Sequence, residues 1–190
     1  MKFARIPKRN GAWRIICVPD PELKARLRAR LGTLEEKARR ACPPSVCHGF
    51  TRRRSPVTNA LAHVGHAYTI TMDLKDFFDS ITPAMLSKKL SRDEVRECLI
   101  DPGDGRGPRP LQGLPTSPAV ANLAAADMDR AILRAVERAK LQIVYTRYAD
   151  DLALSYDDPT ATAWIMREIP MIARRCGFRI APHKTRLMSA

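Results

Sequence analysis

Hydrophobic positions along the chain switch between two periods. In YTITMDLKD, residues 68–76, Tyr68, Ile70, Met72 and Leu74 alternate with Thr69, Thr71 and Asp73. That period of two predicts a half-buried strand sending Asp73 to the face opposite the apolar one. Between residues 22 and 41 the step changes: Leu23, Leu27, Leu31, Leu34 and Ala38 recur every three or four positions. This predicts a helix, broken at Gly32, with arginines and lysines on its other face. The longest helical pattern is SPAVANLAAADMDRAILRAVERA, residues 117–139, with Pro118 in its first turn.

Turn-forming residues mark out the remaining elements. The opening residues predict a hairpin that turns at Asn10-Gly11 and returns as a strand from Trp13 to Val18. Pro43-Pro44 ends the first helix, and Ser55-Pro56 caps a short one running to Val64. Residues 83–100 read as helical, and DPGDGRGPRP, residues 101–110, as a loop. Near the end, residues 159–176 predict a helix kinked by Pro170 and closed by Gly177, followed by a short strand, FRIAP. Strands and helices are intercalated, which predicts an α+β fold: an antiparallel sheet of about four strands with helices packed on one face.

Composition changes this picture mainly through charge. The 190 residues suffice for one domain or two closely packed lobes. Lys and Arg number 33 against 20 Asp and Glu, a net charge of +13. A surplus of that size points to a polyanionic partner, most simply nucleic acid, with solubility as the plainer alternative. No apolar run approaches the ~18 residues of a membrane span, and the N-terminal residues lack the apolar core of a signal peptide. The five scattered cysteines do not form a disulfide pattern. Cys42, Cys47 and His48 lack a fourth zinc ligand. Reduced thiols in a cytoplasmic protein are expected.

The candidate chemistry lies in YTRYADDLALS, residues 145–155, where two adjacent aspartates interrupt a strand-like run. Asp150 and Asp151 fit the tip of a tight hairpin, because Asp tolerates turn geometry. If Asp73 meets them from a neighbouring strand, three hard oxygen donors converge in a basic protein, a set suited to Mg²⁺. Two such ions, about 3.5–4 Å apart, clamp the oxygens of an in-line phosphoryl displacement. The residues alone are equally consistent with a polar turn and a surface aspartate.

DLKDFFDS, LQGLPTSPAVANL, YADD and GFRIAPHKTRL occur in that order and resemble motifs A to D of reverse transcriptases. HGFTRRRS and the basic hairpin are similar to finger motifs of the same family, and the wording QGLPTSP with YADD most resembles bacterial retron-type enzymes, with group II intron enzymes nearby. The resemblance implies a polymerase palm over residues 67–190. It implies a small basic fingers region over residues 1–66 with part of 83–115, and no thumb.

The resemblance also implies roles. Asp73, Asp150 and Asp151 would hold two Mg²⁺ ions, with Mn²⁺ as a substitute and the Leu74 carbonyl as a further ligand. Phe78 would act as a steric gate against the ribose 2′-hydroxyl, while Phe77 belongs to the core. Gln112 and Gly113 would lie against the incoming nucleotide, with Ser117 as an alternative N-cap. Lys8 and Arg14 would hold the triphosphate, although Lys8, like Arg5, also reads as a solvated hairpin residue. Lys184 would approach the leaving pyrophosphate as a general acid, or stand solvated. Arg52, Arg53 and Arg54 would track the template backbone.

The implied activity is RNA-directed DNA polymerisation: two-metal transfer of dNTPs onto the 3′-hydroxyl of a DNA or RNA primer on an RNA template. A protein or RNA partner would replace the thumb. The rival expectations are a non-catalytic nucleic-acid-binding palm scaffold and, behind it, a two-metal nuclease.

Overall fold

A computed structural model describes residues 1–7, 11 and 13–189. The chain divides into two compact units, residues 1–38 with 78–124 and residues 39–77 with 125–190. Segment 39–66, grouped by sequence pattern with the N-terminal region, clusters with the second unit because residues 46–49 hydrogen-bond alongside one of its strands.

In the first unit, β1 (Lys2–Pro7) and β2 (Trp13–Val18) form the expected antiparallel hairpin, with Lys2 opposite Val18 and Pro7 opposite Trp13. Lys8, Arg9 and Asn10 of its turn lie outside the described residues. Helix α1 (Pro21–Ala41) starts where the Asp20 carboxylate accepts the Leu23 amide, at 2.9 Å. It runs through Gly32 unbroken. A helical glycine costs about 0.5–1 kcal/mol, less than the burial of Leu27 and Leu34 on either side returns.

The expected helix over 83–100 is two short ones, α3 (Pro83–Leu86) and α4 (Arg92–Cys98). The break has a local cause: Ser91 and Glu94 exchange hydrogen bonds as a capping box, which starts a new helix there. Loop 101–110 is held by Arg109, itself 3% exposed. Its guanidinium donates to Asp79 at 2.8 Å, to Asp104 at 2.5 and 3.0 Å, and to the Gly107 carbonyl.

The second unit is built on a four-stranded antiparallel sheet in the order β4 (Val144–Tyr148), β5 (Asp151–Tyr156), β3 (Tyr68–Asp73), β6 (Arg186–Ser189). Short α2 (Pro56–Leu61) opens on a Ser55–Thr58 capping box and ends before Val64. Tyr145, Leu154 and Ile70 are register partners, as are Arg147, Leu152 and Met72, so they share one face. Helix α5 (Ser117–Ala139) reaches that face through Asp129, which accepts from Tyr145 and Arg147. Helix α6 (Ala161–Arg175) reaches it through Thr162, 2.6 Å from the Tyr156 hydroxyl.

Helix α6 continues through Pro170 to Arg175. Its end is a Schellman motif: the Gly177 amide (φ +87°) donates to Arg174 and the Phe178 amide to Ala173. That reversal buries Phe178 completely, a gain of about 1.5–3 kcal/mol. The expected strand FRIAP does not form. Ile180 makes one bridge to Leu74, and Pro182, which has no amide proton to pair, opens a short 3₁₀ turn. Pairing resumes only in β6, where Thr71 lies opposite Arg186. Among the described residues no helix is long and apolar enough to cross a membrane.

Candidate active site

The site is assembled at one end of the sheet. Tyr148 lies opposite Asp151, and Asp151 opposite Asp73, so these three form a row across β4, β5 and β3. Directly opposed residues of antiparallel strands have Cα atoms about 4.5–5.5 Å apart. The row sits on the face opposite α5, because its residues alternate with Arg147, Leu152 and Met72. Ala149 and Asp150 are the two turn residues, and the Leu74 amide donates to the Asp150 carbonyl at 2.8 Å. The chain therefore brings together Asp73, Leu74, Asp150 and Asp151, from positions almost eighty residues apart.

Electrostatics agree with that proximity. Burial, then the charges of Asp150 and Asp73, raise the Asp151 carboxyl above the usual carboxylate range. Lys184, the last of the gathered residues, places Nζ 2.7 Å from Asp73 Oδ2. This bond raises the Lys184 ammonium's pKa. Among the described residues no three His, Cys, Asp or Glu side chains converge as a ready-made ion cage. Asp73 instead holds the Lys184 ammonium.

Beneath the turn lies a buried network that sequence patterns did not single out. Arg147 and Asp129 are both fully buried. Arg147 donates through Nε and Nη2 to both Asp129 oxygens at 2.8–3.2 Å, and through Nη1 to the Ala149 carbonyl at 3.0 Å. Tyr145 donates to the same aspartate at 2.9 Å. The Arg147 guanidinium also sits 6.0 Å from the Phe77 ring centroid, and Phe77 packs on Phe178 at 5.5 Å. Residues of DLKDFF, YTRYADD and GFRI are thus stacked under the aspartates. One signal was legible: Arg147 is in phase with apolar Tyr145, and a charge on the buried face of a strand requires a partner.

HGF has an equally local reason. The His48 amide donates to the Arg147 carbonyl and the Arg147 amide to Val46, both at 2.8 Å, so residues 46–49 run beside β4. Ala149 adopts φ +57°, and a Cβ on Gly49 would collide with its amide nitrogen. Burial and the neighbouring Arg54 hold His48 below its ordinary pKa. Arg54 donates to the Pro44 carbonyl at 2.9 Å and lies 3.3 Å from His48, while Arg52 and Arg53 are exposed beside it.

The other expected site residues belong to the first unit. Phe77 is buried while Phe78, which opens a 3₁₀ turn, is half-buried. The Gln112 carbonyl accepts from Cys17 at 2.7 Å, and Gly113 (φ +101°) passes so close to the Cys17 carbonyl that any side chain would clash. Ser117 does not cap α5: its hydroxyl donates to the Leu111 carbonyl at 2.7 Å. Arg14 is exposed on β2, opposite Ile6. Lys8 lies outside the described residues.

Comparison with known proteins converges on one family. A sequence profile described as reverse transcriptase (RNA-dependent DNA polymerase) matches residues 6–190. The retron Mx162 reverse transcriptase of Myxococcus xanthus is 36% identical over 213 aligned positions, covering 96% of this chain and 43% of its own length. The retron Mx65 reverse transcriptase of the same organism is 34% identical, covering 96% and 46%. The chain thus spans less than half the length of these relatives. In fold it is similar to an apo telomerase from Candida tropicalis truncated from its C-terminal domain. That match has a TM-score of 0.65 at 15% identity and covers all of this chain and half of that one. With the aspartates of two motifs paired across adjacent strands and the profile matched almost end to end, the chain belongs to the reverse transcriptase (RNA-dependent DNA polymerase) family.

Proposed function

We propose that this chain is the nucleotidyl-transferring part of an RNA-directed DNA polymerase, which adds dNTPs to a DNA or RNA primer on an RNA template. The sheet-bearing unit is the palm and the unit with the N-terminal hairpin the fingers, in a protein working in the cytoplasm. The observation that carries this is the direct opposition of Asp73 and Asp151 on adjacent strands, with Asp150 at the turn between β4 and β5.

The donor set fits divalent metal. Three carboxylates of motif-matching positions share one sheet end, and their mutual repulsion is already felt by Asp151. Asp73, Asp150 and Asp151, with the Leu74 carbonyl, would hold two Mg²⁺. When bound, the ions would stabilise charge on the attacking and leaving oxygens. The chain's own residues do the rest. Lys184, held protonated beside Asp73, would be placed to give its proton to the departing pyrophosphate. Phe78 stands against a 2′-hydroxyl, Gln112 and Gly113 offer a backbone close to the nucleotide, and Arg14 with Lys8 neutralises the triphosphate. Arg52, Arg53 and Arg54 hold template phosphates.

Primer extension on an RNA template with Mg²⁺, comparing wild type with Asp150→Ala, tests the assignment. Loss of incorporation by at least about 10²-fold, with primer–template binding retained, is expected. Incorporation unaltered in the variant overturns the catalytic roles. Tight binding without incorporation in the wild type replaces the reading by a nucleic-acid-binding scaffold.

A further inference from the structure

Helices α5 and α6 present a basic cavity that the proposed chemistry leaves unused. It measures about 200 Å³ and is lined by Ala131, Arg134 and Arg138 of α5, Ile172 and Arg175 of α6, and Cys176. The floor is Ile172, 7% exposed, while all three arginines are exposed. The cavity belongs to the helical layer, which packs on the opposite face of the sheet from Asp73 and Asp151.

Three arginines line this one cavity. Several arginines elsewhere are neutralised internally: Arg30 by Glu97, Arg106 and Arg109 by Asp104, Arg130 by Asp127, Arg147 by Asp129. Among the described residues, Arg134, Arg138 and Arg175 have no such carboxylate partner. Arg138 and Arg175 lie in the last turns of their helices, where a cation gains about 0.3–1 kcal/mol from the helix dipole. That accounts for two positions singly, but not for Arg134 or for the convergence of all three on one cavity.

We propose that this cavity is a second nucleic-acid contact, binding the phosphodiester backbone of a strand that does not occupy the active site. Arg134 and Arg138 are one turn apart, about 6 Å along the axis, close to the step between neighbouring phosphates of a strand. Arg175 faces them across an apolar floor on which sugar edges rest. Guanidinium forks suit phosphate oxygens better than ammonium groups do. With the three guanidinium groups engaged by phosphates, the contact is indifferent to sequence and sensitive to salt.

The test is Arg134→Gln/Arg138→Gln/Arg175→Gln in the full chain, with binding followed by fluorescence anisotropy from 50 to 200 mM salt. Separate arms use an RNA hairpin, single-stranded RNA and single-stranded DNA. Three lost phosphate contacts reduce the log–log salt slope by about 2–3, so across that range the wild type should lose about 20–40-fold more affinity than the variant. An equal reduction with RNA and DNA supports backbone recognition in general; a reduction in one arm alone supports it for that strand and names the source. An unchanged slope in every arm overturns the proposal. So does full competition at the cavity by millimolar inorganic phosphate, which would make it a site for the free ion, or an equal effect with polyglutamate as probe. The readout is binding, so an inactive Asp150→Ala protein should give the same slopes. Failure here and failure of the polymerase assignment are therefore separable.

Discussion

The Arg147–Asp129 pair invites a quantitative test, because it is fully buried and lies under the turn that carries Asp150. Asp129→Asn leaves a guanidinium charge uncompensated in the core, and Arg147→Met leaves a carboxylate uncompensated. Each should cost about 3–5 kcal/mol, a large share of the ~5–15 kcal/mol stabilising a typical fold. At about 2–4 °C per kcal/mol for a chain of this size, Tm should fall by roughly 6–20 °C. Replacing the whole group with Tyr145→Phe/Asp129→Leu/Arg147→Met removes both charges and the tyrosine donor together. The Ala149 carbonyl then lacks its Arg147 donor, at a cost of about 1–3 kcal/mol, and Cys47 Sγ loses a weak one. The triple variant should therefore be more stable than either single one.

Activity should not follow stability. Without Arg147 the Ala149 carbonyl loses this donor, and a shift of about 1 Å at Asp150 lowers turnover on the order of 10²-fold. Urea unfolding gives the first quantity and primer extension at a temperature where all variants are folded gives the second. Single variants within about 1 kcal/mol of wild type would refute the energetic argument. Wild-type incorporation by the triple variant would refute the positioning of the turn by Arg147.

Other outcomes follow from the same geometry. Gly49→Ala should lose about 1–3 kcal/mol in urea unfolding, since its methyl meets the Ala149 backbone nitrogen, not a mobile side chain. An unchanged midpoint would show that residues 46–49 do not brace the hairpin. Asp151 has a raised folded-state pKa, so its contribution to stability is fully present below the ordinary carboxylate pKa and is lost as pH rises through the raised value. Asp151→Asn should therefore have the higher Tm at pH 7 without divalent cations, the difference shrinking as the pH falls into the carboxylate range. Mg²⁺ at about 100 times its dissociation constant should stabilise the wild type by about 2.7 kcal/mol. It should do much less for Asp150→Ala; equal stabilisation of the two would remove these aspartates as ligands.

The elements that proved legible were those with one dominant local cause. Alternation at 68–74 marked β3 and the face of Asp73, and the apolar stripe of 117–139 marked α5. The aspartate pair between two apolar runs marked the β4–β5 turn to within one residue: the turn is Ala149-Asp150, and Asp151 already pairs with Tyr148 in β5. Where local cues competed, the pattern misled. Gly32 looks like a break in a helix that burial of its neighbours carries through. FRIAP has the composition of a strand, but Phe178 is drawn down by the Schellman turn and Pro182 cannot pair.

The amino-acid order by itself determined which residues are chemically competent, since motif spacing and carboxylate chemistry are local properties of a chain. Only the tertiary structure decided their neighbours. It placed Asp73 opposite Asp151, brought Lys184 onto Asp73, and gave the buried Arg147 its aspartate from α5. These are contacts between residues 18 to 111 positions apart. No periodicity encodes them; they arise when apolar faces close on one another and each buried charge must find its counter-charge.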